Sequence, residues 1–275
     1  VNPLELGLRF SGKLIGAVLG FVFSRGSWAG LLIGAFIGHT FDRRANRHHP
    51  VDVIRSTVAM QSQFSRAVFL IMGKLAKADA PVNEKELEAA RQMMSALRLS
   101  EIQRQEAMAL FSEGKQADFQ MLPQLLALKE AIGRRAALGH FFIEMQLSVA
   151  LVDGPMNAAE QAVLADVCEA LSISTLVFNT IHRRVTAQFA FQKFHAQQKR
   201  GGATDALAQA YGVIGVSAES TDSEVKKAYR KLMSEHHPDK LVANGLPPEM
   251  ENIAKEKSQE IQHAYSLIRK SRKTE

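Results

Sequence analysis

The stretch from Leu14 to Gly38 constrains the fold more than any other, because its two apolar runs, Leu14–Phe23 and Gly26–Gly38, are broken only by Ser24, Arg25 and Ser27. Each run alone is too short to span a bilayer. Joined as one helix they reach about 37 Å at ~1.5 Å per residue, enough to cross a hydrocarbon core of roughly 30 Å with some tilt. A single transmembrane helix within residues 1–41 is therefore expected. A cleaved signal peptide fits poorly, since the apolar region is too long and no small-residue cleavage site precedes a polar start. Arg25 costs about 2.5–3.5 kcal/mol near the bilayer centre, which the flanking apolar residues outweigh.

Charge sets the orientation. Arg9 and Lys13 precede the span, whereas Arg43, Arg44, Arg47, Arg55 and Arg66 follow it. The positive-inside rule puts the short N-terminus outside the cytoplasm and the bulk of the chain within it, beginning with a basic juxtamembrane segment, 42–60. Glycines recur every fourth position, at Gly12, Gly16 and Gly20 and again at Gly26, Gly30, Gly34 and Gly38. That spacing keeps them on one helix face where two backbones can approach closely, so the span is expected to pair as a homodimer.

Residues 61–191 show helical periodicity throughout, as in Leu87, Ala90, Met94 and Leu97, and no strand alternation. They also contain a duplication. Ala78-Asp79-Ala80-Pro81-Val82-Asn83 through Glu86 returns as Val152-Asp153-Gly154-Pro155-Met156-Asn157 through Glu160, 74 residues later, and Leu97-Arg98-Leu99-Ser100 returns in the same register as Leu171-Ser172-Ile173-Ser174. Two helical hairpins packed together make an all-α domain. Two roles fit the repeated loop. Asn83 and Asn157 cap helices with Glu86 and Glu160 reaching back, or Asp79, Glu86, Asp153 and Glu160 supply oxygen ligands to a divalent metal.

These loops, Lys-Ala-Asp-Ala-Pro-Val and Leu-Val-Asp-Gly-Pro-Met in a duplicated helical frame, resemble those of the tellurite-resistance TerB-like domain. The family's acidic loop residues are proposed metal ligands, although Ala80 stands where the family usually has glycine. Residues 192–205 turn polar and carry Gly201-Gly202, which reads as a flexible linker.

From 206 to 275 the chain parses as a short helix near Leu207–Tyr211, a second helix opened by the capping box Thr221-Asp222-Ser223-Glu224, a loop, and a third helix near Pro248–Arg272. Val225, Ala228, Tyr229 and Leu232 face Ile253, Ile261, Ala264, Tyr265 and Ile268 across the hairpin. Between them lies His236-His237-Pro238-Asp239-Lys240, where proline ends the preceding helix and leaves an exposed loop. Lys226, Lys227, Arg230 and Lys231 make a basic surface opposite the apolar face.

The order Tyr211-Gly212-Val213-Ile214-Gly215-Val216, then Val225 to Leu232, then His237-Pro238-Asp239-Lys240 resembles a J domain. The run Leu241 to Met250 resembles the extended loop of the DjlA group of membrane-anchored DnaJ-like proteins. The resemblance implies a regulatory co-chaperone of the bacterial inner membrane. His237, Pro238 and Asp239 would trigger the ATPase of a DnaK-type chaperone, and Lys226, Lys227, Arg230 and Lys231 would dock on its acidic surface. It further implies a link to cell-envelope regulation, with an envelope-signalling protein as a further partner. A metal-responsive membrane sensor with the J domain as output is the alternative reading.

No Gly/Phe-rich segment, cysteine zinc module or β-rich client-binding region accompanies the J domain. A net charge of +6, from 34 basic and 28 acidic residues, makes no demand for nucleic acid. The single cysteine, Cys168, reads as a buried hydrophobe. No nucleophile, phosphate loop or metal quartet accompanies the histidines, so neither an enzyme nor a cofactor is expected.

Overall fold

The repeated tetrapeptide shows how each half of the middle domain stops one helix and starts the next. Leu97 and Leu171 are buried at 1% and 8% exposure. Arg98 and Ser172 follow in the left-handed region, with φ of 50° and 57°, the conformation that ends a helix by turning its chain away. In the second copy the Ile173 N–H closes the motif on the Cys168 carbonyl at 2.8 Å. Ser100 and Ser174 then cap the next helix, their hydroxyls accepting from the N–H groups of Gln103 and Val177.

The computed structural model describes residues 50–78, 84–152, 154–196 and 203–274. Every element among them is helical: α1 Pro50–Ala76, α2 Glu84–Ala96, α3 Glu101–Gly114, α4 Met121–Ile132, α5 Ala136–Ala150, α6 Ala158–Ala170, α7 Thr175–Ala196, α8 Ala203–Ile214, α9 Asp222–His236, α10 Pro238–Ala243, a 3-10 turn Pro248–Met250, and α11 Glu251–Thr274. The duplication is carried into these bounds. The end of α5, both ends of α6 and the start of α7 each fall 74 residues after the end of α1, the ends of α2 and the start of α3. The proposed transmembrane glycines and Arg25 lie outside the described residues. Among the described residues no helix is long and apolar enough to cross a membrane.

Residues Ala59–Glu275 form one compact unit, and Val1–Val58 another, of which only the start of α1 is described. At the centre of the larger unit lies α5, buried on nearly every side, including Phe141, Phe142, Ile143, Met145 and Leu147. Phe142 meets Phe64 of α1 edge-on, with ring centroids 5.8 Å apart, a favoured aromatic geometry. Helices α1 and α3 approach through glycine on both sides. A Cβ on Gly73 would lie 2.1 Å from the Phe111 carbonyl oxygen, and one on Gly114 would lie 2.0 Å from that of Leu70.

The C-terminal helices have their own core, in which Tyr229 and Tyr265 stack at 4.0 Å and Val225, Leu232, Ile261, Ala264 and Ile268 are buried. Thr221 and Glu224 form the expected capping box of α9. Arg272 ties the far end of α11 to the Tyr211 hydroxyl at 2.9 Å, to Asp222 at 2.7 Å and to the Ala218 carbonyl.

Three expectations change in detail. The expected 192–205 linker begins and ends in helix, since α7 runs to Ala196 and α8 begins at Ala203. Gln and Lys are good helix formers, and their polarity alone does not break a helix. The segment after His237 is also not a plain loop. Pro238 occupies the first position of α10, where its missing N–H costs nothing. Finally, the C-terminal module is not a separate body, because Phe191 of α7 belongs to its core, while Leu241, Leu246, Met250, Ile253 and Ala254 join the core of the middle domain.

Candidate functional site

His237 serves both as the C-cap of α9 and as the residue before α10, with extended φ and ψ of −63° and 124°. The following proline restricts it to that region. Its carbonyl accepts from the N–H groups of Lys240 and Leu241 at 3.0 Å each, so the corner is held by its own backbone. The His237 side chain is 45% exposed and that of Asp239 is 89% exposed, with Nδ1 and Oδ2 3.9 Å apart. The next lysine, Lys240, reaches back to the Ser234 hydroxyl at 2.6 Å. Lys226, Lys227, Arg230 and Lys231 are all exposed along α9. The sequence-predicted residues thus occupy one helix and the corner that ends it, open to a partner.

The residue beside this corner behaves differently. His236, expected in the exposed loop, is 3% exposed. Its Nδ1 lies 2.9 Å from the Leu232 carbonyl, and its Nε2 lies 2.9 and 3.0 Å from the two carboxylate oxygens of Glu144 on α5. Both ring nitrogens thus face oxygen atoms of the protein. Glu144, fully buried, also receives Arg184 of α7 through a charge-assisted hydrogen bond, and Lys257 of α11 at 3.4 Å. Burial pushes the Glu144 carboxyl up, but His236, Arg184 and Lys257 outweigh it and hold the group well below the usual carboxylate range. On the far side of His236, the Ser258 hydroxyl donates to its backbone carbonyl at 2.6 Å. Ring and backbone of the residue preceding His237 are both fixed.

A second set of contacts holds the segment that follows. Gln61 of α1 donates to the Leu246 carbonyl at 3.2 Å, and the Ser65 hydroxyl donates to Glu249 at 2.6 Å. Gly245, at φ 97°, sits against Met60, whose Cε would be 1.7 Å from a Cβ there. The run Leu241 to Met250 is thus seated on α1.

Glu144 and Arg184 belong to no motif. The one signal available for Glu144 is a lone carboxylate inside the apolar run Phe141-Phe142-Ile143-Glu144-Met145; such a charge is costly unless paired, so its presence implies partners. Of the four proposed metal ligands, Asp79 and Asp153 lie outside the described residues, and Glu86 belongs to α2. The Glu160 carboxylate accepts from the Asn157 N–H at 2.9 Å while Asn157 accepts from the Glu160 N–H, the capping box expected there. Among the described residues no three His, Cys, Asp or Glu side chains gather to hold a metal ion. Cys168 is buried, and burial pushes its thiol up to about 11.

Three families match successive parts of the chain: the co-chaperone DjlA transmembrane domain over residues 8–56, the tellurite resistance protein TerB over 65–184, and the DnaJ domain over 209–275. Among similar proteins, the co-chaperone protein DjlA of Vibrio parahaemolyticus is 42% identical over 227 residues, covering 78% of this chain and 80% of that one. The protein of the same name from Coxiella burnetii is 39% identical over 273 residues, 96% of this chain and 99% of that one. That from Shewanella oneidensis is 42% identical over 212 residues, covering 77% and 79%. No solved structure matches the chain.

Proposed function

Since the chain belongs to the DjlA family of co-chaperones, we propose that it recruits a DnaK-type chaperone to the cytoplasmic face of the bacterial inner membrane and stimulates its ATPase. His237, Pro238 and Asp239 form the stimulating corner, and Lys226, Lys227, Arg230 and Lys231 are the docking surface. The carrying observation is that the four basic residues and Asp239 are exposed, and the His237 side chain half-exposed, along one helix and the corner that ends it. Basic residues steer an acidic partner and orient the encounter, and the short corner makes the contacts that bias the partner's conformational equilibrium. The apolar segment anchors the chain with the residues before it on the periplasmic side, and the glycine face from Gly12 to Gly38 pairs two copies.

The test is the steady-state ATPase of a DnaK-type chaperone in the presence of the full chain in detergent or bilayer discs. The wild-type chain accelerates hydrolysis, and His237→Gln abolishes the acceleration while secondary structure and membrane insertion are retained. Full acceleration by a folded His237→Gln protein defeats the reading.

A further inference from the structure

We infer that Glu144 of the middle domain is a positioning residue for the His237-Pro238-Asp239 corner, so that the TerB-like domain serves as the internal support from which the J domain is presented to its chaperone. The inference rests on the chaperone reading above and adds a function for the middle domain within it.

The argument is geometric. The corner is only partly packed by its own side chains, since that of His237 is 45% exposed and that of Asp239 is 89% exposed. Its orientation is set by the residue before it and the segment after it. The residue before it is held by two other helices and by its own: Glu144 of α5 on one ring nitrogen of His236, Ser258 of α11 on its carbonyl, and Leu232 of α9 on the other ring nitrogen. Only Glu144 belongs to the middle domain, and it is anchored there by Arg184. The segment after the corner is held by Met60, Gln61 and Ser65 of α1. Both flanks of the corner therefore lean on the middle domain, while Asp239 and the basic residues of α9 remain exposed. A support arranged in this way presents the partner surface and does not cover it.

A fixed corner engages a partner without first having to be ordered, and an apparent affinity falls in proportion to the fraction of molecules in the competent arrangement. Loosening the seam therefore acts on the concentration of this protein needed for half-maximal stimulation, and leaves the maximum at saturation intact. A variant that merely lost folded protein would leave the bound state of the remainder unchanged and show itself as a loss of cooperative unfolding.

The experiment uses the full chain and a DnaK-type chaperone, reading ATPase stimulation against co-chaperone concentration together with hydrogen exchange of residues 237–247. Glu144→Gln keeps the shape and removes the charge that gathers His236, Arg184 and Lys257. It is expected to raise the half-maximal concentration by roughly three- to tenfold, as a fall of the competent fraction to about 0.1–0.3 requires, with faster exchange across 237–247 and an unaltered maximum.

The pair Gln61→Ala with Ser65→Ala removes no buried charge and keeps the test open should Glu144→Gln fail to fold. It is expected to shift the midpoint in the same direction by a smaller factor. Faster exchange with an unchanged midpoint in the paired variant overturns the inference, as does stimulation that increases, which marks the seam as an inhibitory contact. A wild-type chain that fails to stimulate overturns the chaperone reading itself, and His237→Gln run alongside separates that result from a failure of the support.

Discussion

The imidazole Nε2 of His236 lies 2.9 and 3.0 Å from the two carboxylate oxygens of Glu144, across 92 residues of chain. The pair joins the helix preceding the His-Pro-Asp corner to the most deeply buried helix of the middle domain. Around it the same buried carboxylate also faces Arg184 and Lys257.

Removing the shared anion leaves those cations without a counter-charge. Glu144→Ala is expected to destabilise the unit by about 3–5 kcal/mol, the usual cost of breaking a buried ion pair from one side. Urea unfolding followed by circular dichroism measures this. A loss under 1 kcal/mol means that water enters the seam and solvates Arg184.

Acid acts on the same seam. The unfolded-state value of Glu144 exceeds its folded-state value, so the contribution of the pair is complete above the ordinary carboxylate range and is lost as pH falls through the depressed folded value. His140 works in the same direction closer to neutrality, because burial holds its imidazole below 6.5 and the unfolded chain takes up that proton first. The melting temperature of the wild type is therefore expected to decline from near-neutral pH and again, more steeply, below the usual carboxylate range. In Glu144→Gln the second decline is shallower, as calorimetry across pH 2–8 registers on an order-of-magnitude scale of one group's linkage.

The crossing of α1 and α3 has no room for a methyl group. Gly73→Ala and Gly114→Ala each drive a Cβ to about 2 Å from a carbonyl oxygen of the facing helix. The helix-propensity gain of roughly 1 kcal/mol for leaving glycine is smaller than the cost of separating two packed helices. Both variants are expected to unfold at lower urea than the wild type, by an amount equivalent to ~1–3 kcal/mol.

Thr221 closes the start of the basic helix, its hydroxyl accepting from the Glu224 N–H while the Glu224 carboxylate accepts from the Thr221 N–H at 2.8 Å. Thr221→Ala is expected to cost about 1 kcal/mol in chemical denaturation. Hydrogen exchange should show fraying confined to the first turn of α9, far from the corner.

What the sequence revealed and what it hid follow from the range of the interactions involved. The repeat, the caps at Asn157 and Thr221 and the helical hairpin of the C-terminal region rest on contacts within a few residues, and each is written in a short motif. The extension of α7 to Ala196 was missed because polar residues with good helix propensity resemble linker composition. Pro238 was read as a stop, although the same residue is as well suited to begin a helix. The seam through Glu144, Arg184, His236 and Lys257 was invisible because its members come from four helices. A histidine next to the His-Pro-Asp corner gives no local hint that its ring is turned inward. Gly73 likewise reads as a weak helix position until Phe111 is placed opposite it.

The seating of Leu246 on Gln61, across 185 residues, also bears on the order in which the unit is completed during synthesis. The chain leaves the ribosome N-terminus first, so α1, α5 and α7 can pack, and Glu144 can pair with Arg184, before His236 and Leu246 have been translated. The landing site for the C-terminal helices is then prepared in advance. Until they arrive, the newly made middle domain carries an unfinished side, because the partners of Met60 and Glu144 at Gly245 and His236 have yet to be made.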